Sequence, residues 1–89
     1  MRFGLGGVTM VSKDDWRLAN QMNYLFQVKL RHKSYTQRND NWDHDHCSFC
    51  FDEFNSPQQT GYCTLDEYHW ICETCFNDFH EMFKWDVET

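Results

Sequence analysis

A chain of 89 residues is one domain at most, and many domains of this size need disulfides or a metal to supplement a small core. Eight Phe, four Trp and four Tyr against one Pro and four Gly suit a compact α+β fold and exclude a long linker or low-complexity tract. The net charge of −6 is unevenly split: residues 1–38 hold seven basic residues against Asp14 and Asp15 (+5), and residues 39–89 hold Lys84 against twelve acids (−11), so the second half should repel phosphates.

Residues 1–11 are mildly apolar, with one basic residue and three glycines. They read as a loosely ordered extension and as a poor secretion signal; residues 12–89 read as a single domain. No apolar run approaches the length of a membrane span. Ser12-Lys13-Asp14-Asp15 looks like a helix start, with Ser12 as N-cap and acids in the first turn. Trp16, Ala19 and Met22 then recur every three residues, which predicts a helix over about 13–22.

From Tyr24 the period changes to two. Tyr24, Phe26, Val28 and Leu30 alternate with Leu25, Gln27, Lys29 and Arg31, predicting a strand to about Tyr35 with a basic outer face. Lys29, Arg31 and Lys33 on that face are the best candidates for nucleic-acid contact. Given the total charge, a face that neutralises the acidic half of the same molecule is the favoured reading.

Two Cys-x-x-Cys pairs follow, Cys47-Ser48-Phe49-Cys50 and Cys72-Glu73-Thr74-Cys75, with residues 51–71 between them. Two thiolates from one tight turn and two from another are what tetrahedral Zn²⁺ requires, and the interval is close to the zinc-binding range. Five cysteines form an odd set, unlike a secreted disulfide framework. The expectation is one structural Zn²⁺ on Cys47, Cys50, Cys72 and Cys75 in a cytoplasmic protein. A closed Cys₄ set leaves no open position for substrate; iron in a rubredoxin-like centre is the competing metal.

Between the pairs, Tyr62 to Leu65 and Tyr68 to Ile71 read as a hairpin around Asp66-Glu67, which is not a favoured turn pair. A helix is predicted over about 72–84, with Phe76, Phe79 and Phe83 on one face. The second Cys pair then lies in the first helical turn, where the dipole favours thiolates. Cysteine turn, hairpin, then a helix opening with the second pair is the order of a treble-clef finger.

Asp43-His44 and Asp45-His46 precede the first pair. A Cys₄ treble clef with His and Asp suggests a divergent HNH-like metal-dependent nuclease using His44, His46 or His69. In HNH enzymes, however, the catalytic residues lie between the pairs, so the order is wrong here. The favoured reading is that these side chains orient the metal loop by hydrogen bonds. Cys63 is read as a small buried hydrophobe rather than a nucleophile with His69, and His80 as a partly exposed helix residue. No catalytic residue is assigned.

The stretches Trp42 to Cys50, Gly61 to Thr64 and Tyr68 to Phe79, with Asp14-Asp15-Trp16-Arg17-Leu18, resemble a family of small, uncharacterised bacterial proteins with treble-clef-like zinc sites. The resemblance implies a cytosolic zinc protein and brings no activity with it. Sixteen aromatics exceed what so small a core hides, and Trp42, Tyr68 or Trp85 are expected at the surface. A protein partner or self-association is therefore expected, nucleic acid and membrane are not, and the chain reads as a non-enzymatic interaction module.

Overall fold

The computed structural model of the chain describes residues 14–37 and 39–88. Its centre is a four-stranded sheet. Strand β4 (Thr60–Thr64) pairs antiparallel with both β1 (Lys29–Ser34) and β5 (Trp70–Cys72), and β6 (Asp86–Glu88) adds to β1 in parallel. A small antiparallel ribbon joins β2 (Asp45–His46) to β3 (Glu53–Phe54). Helix α1 is Met22–Leu25, and helix α2 is Glu73–Phe83. The result is a small α+β fold. No helix among the described residues is long and apolar enough to cross a membrane.

The hairpin expected around Asp66-Glu67 is present and pairs Tyr62 with Ile71 and Cys63 with Trp70, with strands at Thr60–Thr64 and Trp70–Cys72 rather than at 62–65 and 68–71. Gly61 is required where β4 meets β5 and β3. A Cβ there would stand 2.8 Å from the Ile71 carbonyl oxygen and 3.0 Å from the Phe54 ring. Helix α2 follows β5 at once, with Cys72 as N-cap. It buries Cys75, Phe79 and Phe83, four residues apart, and half-buries Phe76 against Tyr62. Lys84 in the left-handed region ends the helix and returns its N–H to Glu81 and His80. Phe49, from the first cysteine pair, stacks on Phe79 at 4.8 Å between ring centres and meets Phe83 edge-on. The cysteine loop thus inserts an aromatic knob into the core.

Three expectations need correction. Residues 14–21 form turns, and the only helix in this stretch is the single turn Met22–Leu25. Side chains compete for the backbone: Asp15 Oδ1 accepts the Arg17 N–H, and Gln21 Oε1 accepts the Ala19 N–H. Ser12, the expected cap, and the expected extension at 1–11 lie outside the described residues. The strand begins at Lys29, not Tyr24, because Gln27 is left-handed (φ 61°) and gives its N–H to Phe83. Upstream of that break Leu25 is buried while Tyr24 and Phe26 face solvent. Trp85 is 9% exposed: its indole N–H reaches the Leu25 carbonyl at 2.7 Å, and its rings pack on Phe49 and Phe83. Trp42 and Tyr68 do lie at the surface.

The basic face of β1 is spent internally. Lys29 pairs with Asp86, Arg31 with Glu88 and Glu67, and Lys33 with Glu67. Each of these acids belongs to the second half of the chain, so the charge split neutralises across the sheet.

Candidate metal centre

The first cysteine pair leaves β2 in a tight loop closed on both sides. Cys47 N–H reaches the Asp52 carbonyl at 2.8 Å, and Phe51 N–H reaches the Cys47 carbonyl at 3.1 Å. Ser48 N–H bonds the Trp70 carbonyl at 2.8 Å, which registers the loop against β5 and so against the second pair. Phe51 takes a left-handed conformation, φ 68°, to complete the turn. From the other side, β5 delivers Cys72 and the first turn of α2 delivers Cys75.

The four sulfurs of Cys47, Cys50, Cys72 and Cys75 lie within 4.8 Å of one another, and Cys50 Sγ stands 3.7 Å from Cys72 Sγ. A regular tetrahedron with metal–sulfur bonds of about 2.3 Å has edges of about 3.8 Å, so the donor set fits a single ion with little movement. Backbone donors already point at it. Phe49 and Cys72 N–H groups reach Cys47 Sγ, and Cys75 N–H reaches Cys72 Sγ, each at 3.4 Å. These bonds favour thiolate over thiol.

The protons resist leaving together. Hydrogen bonds from Cys72 and Cys75 hold the Cys47 thiol far below its usual range. The complementary bonds to Cys47 and Cys72 push Cys75 well up, and burial pushes Cys50 up to about 12. One anion forms readily and its neighbours then oppose the next. A divalent cation at the centre would remove that opposition. The four-cysteine cluster could hold a metal ion and is consistent with a small zinc-stabilised domain.

Searches of protein-family models, curated proteins and solved structures find no match to this chain.

Around the sulfurs the decisive neighbour is Arg17, which the sequence reading did not single out. Its Nη1 stands 3.5 Å from Cys75 Sγ and 2.9 Å from Asp78 Oδ2. Its Nε and Nη2 each meet a different oxygen of Asp15 at 2.8 Å, and the guanidinium lies over the Phe79 ring at 4.5 Å. Asp15 is held down at about 2 by these bonds, so the pair stays charged. The guanidinium thereby places a positive charge against the four-sulfur cluster and fastens residues 14–18 to α2. Gln21 adds a second tie, with Nε2 donating to the Arg17 and Ser48 carbonyls. The only local signal for this role was Asp15 two positions before Arg17.

The histidines go elsewhere. His44 pairs with Asp43 at 3.0 Å, and its ring meets that of His46 at 5.1 Å on the exposed side of the ribbon. Asp45 accepts from the Tyr35 hydroxyl and the Trp42 indole N–H. The hydrogen bonds of this segment therefore brace Tyr35 and Trp42, rather than the cysteines as expected. His69 is half-buried between Tyr24 and Tyr68, and burial lowers its pKa. Cys63 is fully buried, and burial pushes its thiol up to about 11, which suits a small hydrophobe and not a nucleophile.

Proposed function

We propose that the chain is a treble-clef-like finger built on one structural zinc, held by Cys47, Cys50, Cys72 and Cys75, and that it serves as a non-catalytic protein-binding module in the cytoplasm. The observation that carries this reading is the size of the sulfur cluster. Four thiolates at tetrahedral spacing fill the coordination shell, so the ion has no position for water or substrate. The metal's task is then to hold the fold.

The surface supports a binding role. Trp16 is 71% and Phe51 67% exposed, and residues Trp16, Arg17, Cys50 and Asp52 border a shallow cleft over the cysteines. Phe51 combines a large exposed ring with a left-handed backbone, a position where glycine is favoured. A side chain kept there against both solvent and backbone preference is a reasonable contact for a partner. The internal pairing of Lys29, Arg31 and Lys33 leaves little free positive charge on the β1 face, which weighs against the nucleic-acid reading. The burial of His69 weighs against the nuclease reading.

Elemental analysis of purified protein should give one zinc per chain. Sedimentation should then report self-association, or pull-down a protein partner, that is weakened by Phe51→Ala or Trp16→Ala with zinc retained. A monomer that recovers no partner and binds DNA with a steep salt dependence would reverse the ranking. Plasmid cleavage with Mg²⁺, Mn²⁺ or Ni²⁺ that His46→Ala abolishes would replace the module by a nuclease.

A further inference from the structure

The ribbon of β2 and β3 has two chemically different faces. Asp45 pairs with Phe54, and both look toward the core: Phe54 is buried, and Asp45 bonds the buried Tyr35. His46 pairs with Glu53 on the opposite face, and both are exposed. Side chains two positions apart share a face of an extended chain, so His44 joins them. Its ring stands 5.1 Å from that of His46. Directly opposite residues of an antiparallel pair carry their Cβ atoms about 5 Å apart, which sets Glu53 beside His46 on this face.

We propose that His44, His46 and Glu53 bind a second ion, a borderline divalent transition metal, on the solvent face of this ribbon, with Asp43 orienting His44 and water completing the shell. The ring spacing suits it: two imidazoles bound to one ion at about 2.0–2.1 Å place their centres about 5 Å apart. Asp43 Oδ1 stands 3.0 Å from His44 Nδ1, so a neutral His44 that donates to Asp43 offers Nε2 as the ligand atom. A carboxylate behind a ligating histidine is the usual support for such a ligand. Asn55 Nδ2 holds one Glu53 oxygen at 2.9 Å and steadies that carboxylate. Residues 41–46 together line a shallow concavity that gives an ion and its waters room.

The donor set selects the metal class. Imidazole favours Zn, Ni and Cu over Mg or Ca, and two imidazoles with one carboxylate leave positions open. Among the described residues, only the four sulfurs stand as a preassembled group. The second ion must draw three exposed side chains together and so binds more weakly and exchanges, whereas the thiolate ion is retained. The inference is independent of the protein-binding reading.

The test is a calorimetric titration of the zinc-loaded full chain with Ni²⁺, with zinc and nickel content measured in parallel. One Ni²⁺ per chain should add while the zinc remains. His44→Ala and His46→Ala should each abolish that uptake. Glu53→Gln and Asp43→Asn should weaken it by about tenfold to a hundredfold, and His80→Ala on α2 should leave it unchanged. Near-ultraviolet dichroism identifies which variants keep the fold, and ring ¹⁵N shifts of His44 and His46 on Ni²⁺ addition give a readout on the unaltered protein. Absence of uptake, uptake that survives loss of both His44 and His46, or Ni²⁺ that merely displaces zinc would overturn the site.

Discussion

Residues 45–83 and residues 14–25 pack against each other, yet they are held in different ways. The first region is organised by four sulfurs, by a hairpin of regular pairing and by a helix that starts on one of the ligands. The second has one turn of helix and is tied down by side chains, chiefly Arg17 and Gln21. With the proposed zinc in place, the first region depends on a single bound ion. The N-terminal region depends on several modest bonds whose partners belong to the metal region. Loss should run one way: disrupting the centre releases the N-terminal turns, but disrupting the turns leaves the centre standing.

The largest test of that asymmetry is removal of the metal. A structural zinc supplies about 10–16 kcal/mol of apparent binding free energy, against about 5 kcal/mol available to a domain of this size. Chelation, Cys47→Ser or Cys75→Ser should abolish the cooperative transition in circular dichroism, whereas Cys63→Ser should stay folded with its zinc. A folded Cys75→Ser protein with full zinc occupancy would break the ligand assignment.

Next in size is the core beneath both regions. Phe79 is fully buried between Phe49 and the Arg17 guanidinium. Phe79→Ala should destabilise by about 3–5 kcal/mol in urea unfolding. Gly61→Ala should cost about 1–3 kcal/mol, since the new methyl meets the Ile71 carbonyl and the Phe54 ring.

Arg17→Met sharpens the comparison most directly. It should lower the thermal midpoint while zinc content stays at one per chain, and amide exchange should accelerate in residues 14–21 before it does in α2. Acid works in the opposite order. Asp15, depressed to about 2 in the folded state, contributes stability that is fully present above its ordinary value near 3.8 and is lost only as pH falls toward 2. Protons displace zinc from thiolates before that window is reached. Asp15→Asn should therefore lower stability at neutral pH and leave the acid midpoint of zinc release unmoved.

The smallest expected effect has the opposite sign. Phe51→Gly removes about 1–2 kcal/mol of left-handed strain and adds about 0.5–1 kcal/mol of unfolded-state entropy. A net gain of about 0.5 kcal/mol in zinc-bound protein should appear, together with weaker partner binding. A clear loss of stability would show that the ring supports the cysteine loop.

What could be read in the sequence was local. The Cys-x-x-Cys pairs, the hairpin around Asp66-Glu67 and the spacing of Phe79 and Phe83 are short-range patterns, and the structure contains all three. Arg17 could not be found that way, because its partners Cys75 and Asp78 are 58 and 61 residues distant. The helix expected over 13–22 failed for a local reason of another kind. Its spacing was helical, but Asp15 and Gln21 offered the backbone better bonds than a helix would. Trp85 was expected outside because sixteen aromatics exceed a small core, but the Leu25 carbonyl satisfies its indole and lets it turn inward. Glu53 drew no attention until strand pairing set it opposite His46.

The burial of Arg17 also makes it a reporter. Its side chain is 11% exposed, and trypsin must draw a basic residue into an extended loop before cutting after it. Local opening of residues 14–21 requires far less than global unfolding, yet the guanidinium leaves its seat only when Cys75 and Asp78 let it go. The rate of cleavage at that one bond, read by mass spectrometry on the native protein, therefore measures how often the clasp opens, and it should rise when the zinc is withdrawn.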